Sequence, residues 1–199
     1  MFVLVIDTTI MNVSISTLIV DFNTNVATVQ AAITLYSLVM ASFMITGGKV
    51  GDIIGRKKAF RMGLIIYGTG SFLTAISPTM AVLFIGWSIL EGFGATLVMP
   101  AIQTLVISNY SGKYRALAYG ILGGIVASAI ALGPIIGGWL TTEYTWRLAF
   151  GGDVVIVLIL LFLSRYILDA PLETKEKPKL DIGYIGFDTF CTWDGTYCF

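Results

Sequence analysis

The chain has 199 residues, 56% of them hydrophobic and 12% charged, with a mean hydropathy of +0.87. Soluble globular domains carry about 25% charged residues, so this composition excludes an ordinary water-soluble globule. Lys+Arg and Asp+Glu balance at 12 each and histidine is absent, which leaves no basic field for nucleic acid and no imidazole for a hydrolytic or metal centre.

Six apolar runs follow one another, at 2–20, 31–50, 60–76, 80–108, 116–140 and 148–167. Each is near the length of about 20 residues that crosses a hydrocarbon core of about 30 Å. The first contains Asp7 and lacks the positive flank of a signal peptide, so it reads as a span that has lost its upstream flank and not as a cleaved leader. The fourth is longer than a straight crossing needs and holds Pro100, which predicts a tilt or a bend. The loops at 21–30 and 77–80 contain no Lys or Arg, whereas those at 49–61, 111–115 and 165–181 contain eleven of the twelve. Basic loops stay in the cytoplasm, so both chain ends are expected there, in a multi-pass protein of the cell membrane. The fold class expected is therefore all-α, a bundle of six transmembrane helices over 1–170.

Residues 171–181 read as a charged cytoplasmic linker. The stretch 182–199 is too short and too polar to cross, and reads as an irregular tail where a longer chain is truncated or frame-shifted. Cys191 and Cys198 in that tail have no further thiolate or imidazole beside them, so no metal site is expected.

Asp7 is an ionisable group inside a span, where a charge costs about 2.5–3.5 kcal/mol on insertion scales. Asn12 lies five residues on, within about 140° around the helix, so both can border a polar interior. Alternatively, Asp7 sits at the headgroups if the span starts upstream. Between the second and third runs stands Gly48-Lys49-Val50-Gly51-Asp52-Ile53-Ile54-Gly55-Arg56-Lys57-Lys58. Its glycines allow close helix approach, and Asp52 can pair with Arg56. This loop resembles the gate loop, between spans two and three, of the major facilitator superfamily. The resemblance implies that Gly48, Asp52, Gly55, Arg56 and Lys57 form a conformational gate whose acid meets a helix of the transporter's other half. That half is absent from this chain.

Further segments agree with the same family. Ile6-Asp7-Thr8-Thr9-Ile10-Met11-Asn12-Val13 is similar to the first span of its fourteen-span drug:proton antiporters, with Ser16 where that group has proline. In span four, Ser88 and Glu91 occupy the arginine and glutamine positions of the pattern R-x-x-Q-G-x-G-A. The buried arginine implicated in proton transfer is therefore missing, while a carboxyl near mid-bilayer remains. Glu91 is accordingly the first candidate proton carrier and Asp7 the second, with Asn12 and Ser88 as cavity-lining candidates. Gly120, Gly133, Pro134, Gly137 and Gly138 resemble the antiporter motif of span five, with Ala129 in place of its middle glycine. Small residues four apart let helices pack closely in lipid. Trp146-Arg147-Leu148-Ala149-Phe150 matches W-R-x-x-F, with Arg147 as an interface anchor.

The resemblance implies the amino-terminal half of a proton-coupled exporter of drugs or other apolar or cationic molecules. The implied partners are a small-molecule substrate, protons, lipid and the missing carboxy-terminal half. No cofactor is implied; the proton gradient drives the cycle. A facilitator or importer of a metabolite shares the fold, and a non-transporting assembly fragment is the third reading. An enzyme is not expected. Expressed as written, the six-span chain is expected not to transport unless it pairs with itself.

Overall fold

The computed structural model describes residues 1–166. The linker at 171–181 and the tail at 182–199 lie outside them. In lipid every backbone N–H and C=O must be satisfied within its own segment or a closed barrel, and the apolar runs take the helical solution. Helix α1 (Phe2–Val13) and α2 (Ile15–Asp21) form the first rod, bent by 63° between them. Then come α3 (Val26–Ile54) and α4 (Arg56–Ala75). The fourth rod is composite: α5 (Met80–Leu83), a π-helical segment Phe84–Glu91, and α6 (Gly92–Asn109). Helix α7 (Gly112–Glu143) and α8 (Trp146–Leu163) follow, and a short 3-10 turn (Ser164–Tyr166) closes the described chain.

The six rods coincide with the six apolar runs. Four are long and apolar enough to cross a membrane as single helices, and the bent first rod brings the number to five. The sixth, α4, opens on Arg56, Lys57 and Lys58 and is less apolar over its length. It is instead a packed central helix, with Phe60, Leu64, Tyr67 and Ser71 buried against its neighbours α6 and α8.

Two details depart from a simple reading of the runs. The first span does not run straight to Val20: it breaks at Ser14, whose hydroxyl donates to the Ile10 carbonyl at 2.8 Å. Such back-bonding competes with the helix ladder and bends it. In the fourth span, helix α6 continues through Pro100, and the irregularity falls upstream as the π-helical segment. Pro100 has no N–H to offer the carbonyl four residues back, that of Thr96. Gly47 of α3 lies directly against this carbonyl.

Glycines bring the central backbones together. A Cβ on Gly94 would lie 2.6 Å from the Tyr67 nitrogen, and one on Gly70 2.7 Å from the Gly86 carbonyl oxygen. Helices α4 and α6 therefore meet at backbone contact, the approach that small residues permit in lipid. Basic groups gather at one end of the bundle. There Arg56 of α4 donates to the Thr104 carbonyl (3.2 Å) and to the Ser108 hydroxyl of α6, and Arg61 holds Ser164 at the end of α8 (3.0 and 3.1 Å).

Candidate functional site

Three carboxyls from three different rods are enclosed by this packing. Asp7 of α1 is 1% exposed, Glu91 at the end of the π segment 0%, and Asp153 of α8 4%. Asp7 accepts a 2.8 Å hydrogen bond from the indole nitrogen of Trp87. Trp87 is fixed in turn by stacking on Tyr36 of α3, ring centroids 4.8 Å apart and 12° from parallel. Ser88 donates to the Ala32 carbonyl at 2.9 Å, pinning the π segment to α3. The wider helical turn of that segment turns Trp87, Ser88 and Glu91 all inward, and π-helical turns recur at functional sites.

Glu91 lies over Gly70: a Cβ there would meet its Cγ at 2.7 Å. Neither Glu91 oxygen has a hydrogen-bond partner, and the same holds for one oxygen of Asp153 and for the Tyr67 hydroxyl. Asp7, Asp153 and Ser71 are the polar neighbours of Glu91. Among the described residues no lysine or arginine is buried. Nor do any three Asp, Glu or Cys side chains among them stand close enough to hold a metal ion. The arrangement is a buried cluster of carboxyls with the Trp87 indole as a donor and no buried lysine or arginine beside it among the described residues. Ionising such groups without a partner is costly.

Of the candidates read from sequence, Asp7 and Glu91 come together in this pocket. Ser88 is buried between the π segment and α3. Asn12 stands on the exposed side of α1, its amide donating to the Thr8 carbonyl at 2.8 Å. Asp153, Tyr67 and Trp87 join the site without having been singled out in the sequence. The available signal for Asp153 was an acid within an apolar run, the criterion that selected Asp7.

The gate loop forms a tight turn between α3 and α4. Gly55 has φ of 95° and ψ of 135°, a positive-φ conformation that glycine adopts readily because it has no Cβ. Asp52 pairs with Arg56 at 3.7 Å, with the acid's side chain 56% exposed. Gly48 lies against Pro100 of α6, and Lys57 is in the first turn of α4. The antiporter segment divides between two faces of α7. Ala129, Gly133 and Gly137, spaced by four, are buried, with Gly133 against Thr9 and Gly137 against Ile10 of α1. Gly120 and Gly138 have no neighbour within 4 Å of a built Cβ, and Pro134 is exposed within a continuous helix.

At the end opposite the basic cluster, Asp21 accepts from the Trp146 indole (2.7 Å) and from Arg147 (3.4 Å), which also donates to the Ser77 carbonyl (3.0 Å). Arg147 lies 4.6 Å from the Trp146 ring centroid, within cation–π range. These contacts tie the ends of α2 and α4 to the start of α8.

The sequence profile described as Major Facilitator Superfamily matches residues 1–185. The riboflavin transporter RibZ of Clostridioides difficile is 29% identical over 191 residues, 96% of this chain and 42% of its own length. The quinolone resistance protein NorB of Staphylococcus aureus is 34% identical over 159 residues, 79% of this chain and 33% of its own. Among solved structures, the peptide transporter POT in complex with sulfate superposes with a TM-score of 0.70 at 19% identity, covering 86% of this chain and 37% of that one. The chain thus spans less than half the length of the relatives it matches.

Proposed function

The chain belongs to the Major Facilitator Superfamily, and from that premise we propose that it is the proton-handling amino-terminal half of an exporter of apolar or cationic small molecules. It is a multi-pass membrane protein of a transporter family, not an enzyme. The observation that carries the proposal is the buried pair Asp7 and Glu91, with the Trp87 indole donating to Asp7 and no lysine or arginine buried among the described residues. Protonation within this pair, at Glu91, Asp7 or both, favours one facing state of the transporter, and binding of substrate from the opposite side favours the other. Related families bind at the midplane between halves that rock about the site. In that cycle Gly48, Asp52, Gly55, Arg56 and Lys57 gate the cytoplasmic side, with both ends of this half in the cytoplasm.

Similarity to a quinolone resistance protein supports the export direction. A second reading, transport of a neutral metabolite on the same scaffold, is favoured by the riboflavin transporter matched over nearly the whole chain. Flux of a fluorescent drug and of riboflavin, measured in liposomes carrying the intact transporter under an imposed pH gradient, separates the two. The proposal predicts pH-driven dye efflux that Glu91→Gln abolishes. Undiminished efflux by that variant removes Glu91 from the mechanism, and riboflavin flux without dye efflux selects the second reading.

A further inference from the structure

We propose that Asp153 of α8 is a third member of the proton site. On this assignment the closed pocket holds two exchangeable protons, one on Glu91 and one on Asp153, while Asp7 is the indole-bound carboxylate. The inference rests on the proton-handling reading above and extends it from an acid pair on α1 and the π segment to a third rod.

The titratable groups around Asp153 are few. Helix α1 contributes Asp7, α4 contributes Tyr67, the π segment contributes Glu91, and α3 contributes Tyr36. Helix α7 presents only Ala129, Gly133 and Gly137 on its buried face. The cation on α8 itself, Arg147, is engaged at the far end with Asp21 and Ser77. None of these groups is a base that could neutralise a second carboxylate; the amino-terminal Met1 lines the cavity beside Tyr67.

Hydrogen bonding divides the three acids. Asp7 has the Trp87 indole, a donor suited to a carboxylate. Glu91 has both oxygens unpartnered and Asp153 one, each at least nine-tenths buried. An unpartnered, enclosed carboxyl is tolerated neutral and penalised ionised. Two neutral acids beside one compensated carboxylate is therefore the charge state that fits the pocket, and interacting sites of this kind titrate as a unit. Among the described residues the acids form no group that could hold a metal ion, and the proposal assigns protons to them. A cavity of about 140 Å³, lined by Met1, Leu4, Leu64, Tyr67 and Val157 among others, adjoins the Tyr67 side of the cluster.

Infrared difference spectroscopy of the purified chain in lipid tests the assignment by reading the carbonyl stretch of protonated carboxyls at neutral pH. Asp153→Asn and Glu91→Gln are each expected to remove about half of the buried-acid band, with Asp153→Glu restoring it and Asp7→Asn leaving it in place. Circular dichroism and elution volume identify variants that retain the fold. An unchanged band in folded Asp153→Asn overturns the assignment, as does a band that sodium ions displace at constant pH. If that occurs while Glu91→Gln still abolishes pH-driven efflux, only this inference fails. If efflux by the intact transporter ignores the pH gradient, the functional reading fails instead.

Discussion

At the scale of single residues, the decisive feature is how Asp7 is held. In the family pattern that this chain resembles, an arginine occupies the place of Ser88; here the neighbouring Trp87 supplies a neutral donor to the acid. Removing that donor with Trp87→Phe leaves a buried carboxylate oxygen unsatisfied, which costs about 1–3 kcal/mol. Thermal unfolding in detergent should register this loss. Asp7→Asn added to Trp87→Phe should cost less than the sum of the two single changes, because contacting residues are energetically coupled. Additive losses would show that the indole contact contributes nothing to stability. Asp7 and Glu91 were recognisable in the sequence as acids within apolar runs. Which face of α8 Asp153 takes was not, because a nearly uniform apolar helix has too little periodicity to indicate direction. Trp87 was equally hidden. Its inward turn depends on the π-helical segment, and local propensities carry little signal for that geometry.

At the scale of elements, the sequence ran close to the structure. The six apolar runs became six rods, and the glycine-bounded loop became a turn that requires positive φ at Gly55. The breaks were less legible. The bend at Ser14 and the π segment before Glu91 arise from side-chain bonds to backbone carbonyls and from tertiary packing, whereas Pro100, the conspicuous breaker, sits inside a continuous helix. Helix α7 also divides its glycines in a way that spacing alone only half predicts. The four-residue series Ala129, Gly133 and Gly137 makes the seam with α1, and Gly138 lies outside it. Forcing bulk into a packed seam costs about 1–3 kcal/mol or more. Gly133→Leu should therefore lower thermal stability and weaken a disulfide cross-link engineered between α1 and α7, while Gly138→Leu should leave both unchanged in the isolated chain. Equal effects from the two variants would contradict the seam.

At the scale of the whole molecule, the chain is a membrane-embedded helical bundle that closes off Asp7, Glu91 and Asp153 from solvent. Its fold is that of the Major Facilitator Superfamily, and its relatives extend well beyond it. In the proposed cycle the pocket opens and closes as the halves rock, so proton binding and substrate binding compete through the same conformational equilibrium. Linkage makes that competition reciprocal: a substrate that draws the transporter out of its protonated state must expel protons. The most direct measurement is proton release from the purified intact transporter in weakly buffered detergent when a lipophilic cation is added. Release by the wild type, and its loss in Glu91→Gln with substrate binding retained, is the predicted result. Saturable substrate binding that releases no protons, at every pH from mildly acidic to mildly alkaline, would contradict proton coupling through these buried carboxyls.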